Sequence, residues 1–147
     1  MAPSFEDILS KSTAHIEKPK PLPVGTYRCI VEYFEFTIAG VNNTPCVDFY
    51  LNPLQAGSDV DSGQLAKVLN GTALSNRKIR HRMFVTDDSA WRLKEFLLED
   101  LEVPPMTLRE MIFEATGKQV MVTLAHQTSH DGTQTFQVVK RTARVNS

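Results

Sequence analysis

The stretch Gly25-Thr26-Tyr27-Arg28-Cys29-Ile30-Val31-Glu32-Tyr33-Phe34-Glu35-Phe36-Thr37-Ile38 decides the fold class. Tyr27, Ile30, Val31, Tyr33, Phe34, Phe36, Thr37 and Ile38 are β-branched or aromatic, the types that pack on a pleated surface. Apolar side chains fall on both faces. Such a strand is either buried on both sides or presents aromatics to a ligand from one of them. The following Ala39-Gly40-Val41-Asn42-Asn43-Thr44 carries turn chemistry, and residues 46–51 resume the pattern, so a hairpin is expected. Pro53 has no amide proton to give a ladder and is expected to end the second strand.

Downstream, residues 55–76 are rich in Gly, Ser, Asp and Asn, and only Leu65-Ala66-Lys67-Val68-Leu69 suggests a helical turn. This composition predicts a long, mobile loop. Residues 77–86 form a third strand. Residues 89–101 carry Trp91, Leu93, Phe96, Leu97, Leu98 and Leu101 at roughly helical spacing, with Asp87, Asp88 and Ser89 as N-cap candidates. Pro104-Pro105 breaks that helix. A second one opens with Thr107 and Glu110 at capping-box spacing, Met106 and Met111 at staple positions, and Gly117 as its stop. Residues 118–126 and 134–141 make a closing hairpin around Asp131-Gly132. Upstream, Ser4 can cap a short helix bearing Phe5, Ile8 and Leu9. Lys18-Pro19-Lys20-Pro21-Leu22-Pro23 reads as an extended connector. The chain therefore divides into an arm and connector, residues 1–23, and a single domain, residues 24–147. Its fold class is mainly β with a short helical insertion: strands 1–3, helices, then a C-terminal hairpin. That element order is the one found in five-stranded oligonucleotide/oligosaccharide-binding (OB) barrels, and closure into a barrel is inferred from it.

A chain of 147 residues, 41% hydrophobic and 22% charged, fits one folded domain with its own core. No apolar run approaches the roughly 18 residues of a membrane span, and the acidic start Met1-Ala2-Pro3-Ser4-Phe5-Glu6-Asp7 is unlike a secretory signal. The expected location is the cytoplasm, without membrane association. Cys29 and Cys46 sit among apolar strand residues and are expected as small buried hydrophobes, with a cross-strand disulfide as the alternative. The net charge of -1 hides segregation: Arg77, Lys78, Arg80 and Arg82 cluster, as do Lys140, Arg141 and Arg144, while Glu95, Glu99, Asp100, Glu102, Glu110 and Glu114 form an acidic stretch. A basic side and an acidic side follow.

Alternation in the third strand puts Lys78, Arg80, Arg82 and Phe84 on one face and Ile79, His81, Met83 and Val85 on the other. The basic face is either an ordinary solvated surface or a cationic track for a phosphate backbone. Aromatics of the first hairpin could stack bases beside it. Alternation does not choose among them, but tyrosine tolerates exposure better than phenylalanine, which favours Tyr27, Tyr33 and Tyr50 over Phe34, Phe36 and Phe49. Trp91 is expected in the core. His15, His81, His126 and His130 lack ligand spacing, so no metal or other cofactor is expected. Phosphate-loop and nucleophile-elbow motifs are absent, and Asp59 and Asp61, the one conceivable carboxylate pair, have no partner base. No catalysis is expected.

The segments Leu22-Pro23-Val24-Gly25-Thr26-Tyr27, Thr86-Asp87-Asp88-Ser89-Ala90-Trp91 and Gly117-Lys118-Gln119-Val120-Met121-Val122 resemble small bacteriophage early proteins related to phage single-stranded DNA-binding proteins. The resemblance spans roughly residues 22–140 and rests on structural motifs. It implies an OB barrel that coats single-stranded DNA during phage replication or recombination in the host cytoplasm, with phage replication or recombination proteins as partners and a homo-oligomer left open. An acidic C-terminal tail, common among single-strand binders, is lacking: the chain ends Lys140-Arg141-Thr142-Ala143-Arg144-Val145-Asn146-Ser147. Lys78, Arg80, Arg82, Phe84, Tyr27, Tyr33, Tyr50, Lys140 and Arg141 are the expected DNA-binding residues. The alternative is a phage structural or assembly protein making protein contacts through its N-terminal arm and strands.

Overall fold

The computed structural model describes residues 20–145 together with Leu9. Apart from Leu9, the helix expected from Ser4 lies outside the described residues. Along the chain come β1 (Gly25–Ala39), β2 (Thr44–Ala56), α1 (Ser62–Leu69), a 3-10 turn (Leu74–Asn76) and β3 (Ile79–Phe84). They are followed by α2 (Ala90–Glu95), which widens into a π turn (Phe96–Asp100), then α3 (Leu108–Glu114), β4 (Gln119–Thr128) and β5 (Thr135–Ala143). The strands form one antiparallel sheet in the order β3-β2-β1-β4-β5.

β1 organises this sheet because it is long enough to pair on both edges. Residues 25–30 pair with β4, while β2 runs along nearly its whole length. Two bulges bend the β1–β2 pair: Leu54 is the extra residue on β2 opposite Arg28 and Cys29, and Glu32 is the extra residue on β1 between Val31 and Tyr33. The first bulge accounts for a departure from expectation. Pro53 does not end β2; it lies opposite Cys29 at the irregular step, where the ladder is already broken and a missing amide proton costs little.

Tyr27, Cys29, Val31, Phe49, Leu51 and Ile79 point to one face of the sheet, and Leu93, Phe96, Leu97, Met111 and Ile112 from the helices cover it. Burial raises the Cys29 thiol to about 12, which keeps it protonated and inert. Both cysteines are free thiols. Cys46 pairs in register with Thr37, eight positions along β1 from Cys29, so a disulfide between them is out of reach.

Three other expectations are corrected. Residues 55–76 are not a featureless loop. Asp61 accepts the Gln64 amide and caps α1, Asn70 closes it in the left-handed conformation, and Val60 enters the core with Leu65, Val68 and Leu74 packed beside it. Leu22, read as part of an extended connector, packs into the core. It is fully buried, its amide donates to Gln137 Oε1 at 2.9 Å, and its carbonyl meets His126 Nε2 at 2.7 Å. Trp91 is exposed rather than core, with the Arg92 guanidinium 5.3 Å from its ring centroid. On a helix, a residue two before the buried Leu93 sits roughly 200° around from it, so Leu93, Phe96 and Leu97 set the inner face and Trp91 cannot share it. Ser89 occupies the N-cap position of α2, but its hydroxyl donates to the Phe84 carbonyl instead of capping the helix. Thr107 does cap α3, accepting from the Glu110 amide at 3.2 Å.

Candidate nucleic-acid interface

Register assembles the site. Across β1, β2 and β3 the outer face carries three rows: Tyr33, Tyr50 and Arg80; Glu35, Asp48 and Arg82; Thr37, Cys46 and Phe84. The Tyr33 and Tyr50 rings stack at 4.5 Å between centroids and 15° between planes. Lys78 Nζ lies 5.2 Å from the centre of the Tyr33 ring, a cation–π distance. Tyr33 remains 38% exposed, and Arg80 and Phe84 are exposed at the ends of their rows. The result is an aromatic step with cations beside it, accessible from solvent.

The Glu32 bulge makes this possible. Before it, odd-numbered residues of β1 face the core; after it, odd-numbered residues face out. Tyr27 therefore lies on the opposite face from Tyr33, and its assignment as a stacking partner is corrected. It is 0% exposed, its hydroxyl donates to the Pro23 carbonyl at 2.8 Å, and burial, then the nearby Asp59 carboxylate, raise it to about 12.

The expected basic track is also different in kind. Arg82 grips Asp48 with two hydrogen bonds, Nε at 2.7 Å and Nη2 at 2.9 Å. Asp48 is 2% exposed, and the Arg82 hydrogen bond holds its carboxyl below the usual carboxylate range despite that burial. The same bond raises the Arg82 guanidinium. Lys78 Nζ lies 3.1 Å from Glu32 Oε2. Arg80 makes no ion pair among the described residues. Three cations meet Glu32, Glu35 and Asp48 on one surface, so its formal charge balances and it is not a continuous phosphate track.

Lys140 and Arg141 stand exposed on β5, and the Arg141 Nε proton reaches Thr123 Oγ1 at 3.4 Å. They belong to the opposite edge strand and do not join the three rows. The expected separation of basic and acidic sides is partly undone as well, because Arg144 lies 3.5 Å from both Glu99 and Glu102. The two edge strands nevertheless approach one another. Lys78, Ile79 and Arg80 of the β3 edge and Gln137, Val138 and Val139 of β5 line opposite sides of a cleft of about 210 Å3.

Asp59 and Asp61 have structural duties. Asp59 accepts from the Thr26 amide at 2.9 Å and the Thr26 hydroxyl at 2.8 Å, which lowers its carboxyl, and Asp61 caps α1. The Asp61-Ser62-Gly63-Gln64 spacing is a capping pattern already present in the sequence. Among the described residues no group of three His, Cys, Asp or Glu side chains is placed to hold a metal ion. None of the described helices is long and apolar enough to cross a membrane.

Compared with known proteins, the chain matches no family model and no curated protein. The geometry of the outer face is thus the ground for a functional reading.

Proposed function

We propose that the protein binds single-stranded DNA without strong sequence preference, in phage replication or recombination in the host cytoplasm, as a non-catalytic coat. The observation that carries this reading is the Tyr33–Tyr50 stack, Tyr33 exposed and Tyr50 half-buried, with Lys78 over the Tyr33 ring and Arg80 in the same row. Base-sized π faces beside cations are what sequence-tolerant single-strand binding requires. The element order and sheet order agree with an OB-like barrel, in which the face of strands 2 and 3 binds oligonucleotides. The β3–β5 cleft is where such a barrel would close. Balanced charge on the face makes stacking the larger contribution and phosphate neutralisation the smaller one.

Anisotropy of a labelled oligothymidylate, titrated at several salt concentrations against a duplex of equal length, tests the reading. Single strands should bind more tightly than duplex. Tyr50→Ala should weaken binding about tenfold, since stacking is worth roughly 1–3 kcal/mol per base. Wild-type protein that binds no single strand at low salt, or prefers duplex, overturns the proposal.

A second reading, a structural or assembly protein, draws on one feature. Phe36 and Ile38 near the end of β1 and Phe113 on α3 are exposed, with the Phe34 ring packed edge-on against both Phe36 and Phe113. A contiguous apolar end of this kind fits a protein contact. Concentration-dependent mass without oligonucleotide affinity would favour it.

A further inference from the structure

The outer face of β1 and β2 continues past the tyrosine stack through the pairs Ile30–Asn52 and Arg28–Gln55. Two side-chain atoms here are buried without a hydrogen-bond partner among the described residues: Arg28 Nε and Asn52 Oδ1. Orphaned buried polar atoms are uncommon because each forfeits its hydration for nothing in return. Two of them, on neighbouring outward pairs of one face, leave hydrogen-bonding capacity that the described residues do not use.

Arg28 also lines a cavity of about 320 Å3 with Gln55, Gly57, Ser58, Met121 and Val145. Among the described residues its guanidinium has one side-chain partner, the neutral Gln119 Oε1, at 3.1 Å from Nη1. The carboxylate of the adjoining loop, Asp59, is held by Thr26. A guanidinium with donors left over and no carboxylate partner among the described residues, set in an open cavity, matches a phosphate oxygen pair.

We propose that the Arg28 cavity takes one phosphodiester of the strand that stacks on Tyr33 and Tyr50, with Asn52 between them meeting a base or sugar polar group. This rests on the single-strand reading above. From Arg28 to Tyr33 the chain advances five residues, roughly 16 Å at the usual rise of a strand. A bound strand covering about 4–16 nucleotides reaches both. The path thus runs from the cavity between β2 and β4, over Asn52, to the tyrosines and Arg80.

The test is salt-titrated oligothymidylate binding by wild type, Arg28→Met, Arg28→Lys, Asn52→Ala and Tyr50→Ala. A nitrogen–proton NMR spectrum of the wild type, which follows the Arg28 Nε–H during titration, accompanies it. Arg28→Met should weaken binding about tenfold and reduce the magnitude of the salt slope by roughly 0.7, the loss of one phosphate contact. Arg28→Lys should keep the slope. Asn52→Ala should weaken binding with the slope unchanged, and the Arg28 Nε–H signal should move on titration. If Tyr50→Ala weakens binding while Arg28→Met leaves affinity and slope intact, the cavity is not a phosphate site and the stacking face still stands. If Arg28→Met is unfolded, the NMR signal decides: an unmoved Nε–H overturns the proposal. Wild-type protein without affinity for the oligonucleotide overturns both.

Discussion

The two halves of β1 have similar compositions and opposite fates. In residues 25–31, buried and half-buried residues alternate strictly, with Tyr27, Cys29 and Val31 inside. In residues 32–39 no residue is fully buried, although Tyr33, Phe34, Phe36 and Ile38 are as apolar as anything before them. The first half pairs with both β2 and β4 and lies under the helices, while the second half pairs with β2 alone. At the junction sits Glu32, which has no register partner on β2. Aromatic content thus does not distinguish core from contact surface on this strand; the parity of the position and the number of flanking strands do.

Tyr27 and Tyr33 put that difference to its hardest test. Tyr27→Ala removes a fully buried ring from the half that pairs on both edges and should cost about 3–5 kcal/mol. Tyr33→Ala removes a partly exposed ring and should cost under about 1 kcal/mol, while weakening oligonucleotide binding. Urea denaturation of both variants, read against wild type, measures the gap. Equal losses would mean that the second half carries as much of the core as the first.

The cations of β3 offer a smaller contrast of the same kind. Arg82→Ala leaves the buried Asp48 carboxylate without its partner and should destabilise by roughly 2–3 kcal/mol, less than for a wholly buried pair because Arg82 is about a third exposed. Arg80→Ala should leave stability within about 0.5 kcal/mol and reduce the salt slope of single-strand binding by roughly 0.7. A neutral Arg82→Ala in thermal melts, or an Arg80→Ala that unfolds the domain, would reverse the roles assigned here.

Much of the fold was legible because its signals are local. Strand periodicity, the Asp131-Gly132 turn, the Thr107 cap and the breaks at Pro104 and Pro105 each report their own segment, and the five strands follow from them. The site was legible only in part, because its membership depends on pairing. Lys78, Arg80, Arg82 and Phe84 do share a face, as alternation predicts. What alternation cannot carry is the partner: nothing near Arg82 in sequence announces Asp48, 34 residues away. Tyr27 was misassigned because its residue type was read as a sign of exposure, and a single sequence offers no marker for the Glu32 bulge that puts Tyr27 and Tyr33 on opposite faces. Arg28 and Asn52 were missed because an unsatisfied atom is defined by what surrounds it in space. Leu22 was assigned to a connector because its neighbouring prolines suggest an extended chain, which says nothing of whether that chain is buried.

His81 gives the subtlest separation, because it shares β3 with the exposed Arg80 yet points to the opposite face. Its ring packs edge-on against Phe96 at 5.0 Å between centroids, and burial pushes its pKa down to about 4. In the unfolded chain the same imidazole titrates near 6.5. Between those two values the unfolded state binds the proton that the folded state refuses, so stability is complete above about pH 6.5 and falls as pH drops towards 4. The full loss is on the order of 3 kcal/mol, and most of it is reached by pH 4.5. Asp48 acts in a different window, since its carboxyl is lowered and its contribution fades only as pH falls below the ordinary carboxylate range. Melting temperatures between pH 7 and 4.5 should therefore decline in wild type, and His81→Leu should flatten that decline while leaving the acid drop below about pH 4 in place. A wild-type melt unchanged across pH 7 to 4.5 would show that His81 is solvated enough to take its proton while folded. The inner face of β3 would then be more open than its packing on Phe96 indicates, and the division of β3 into a core face and a contact face would fail at its centre.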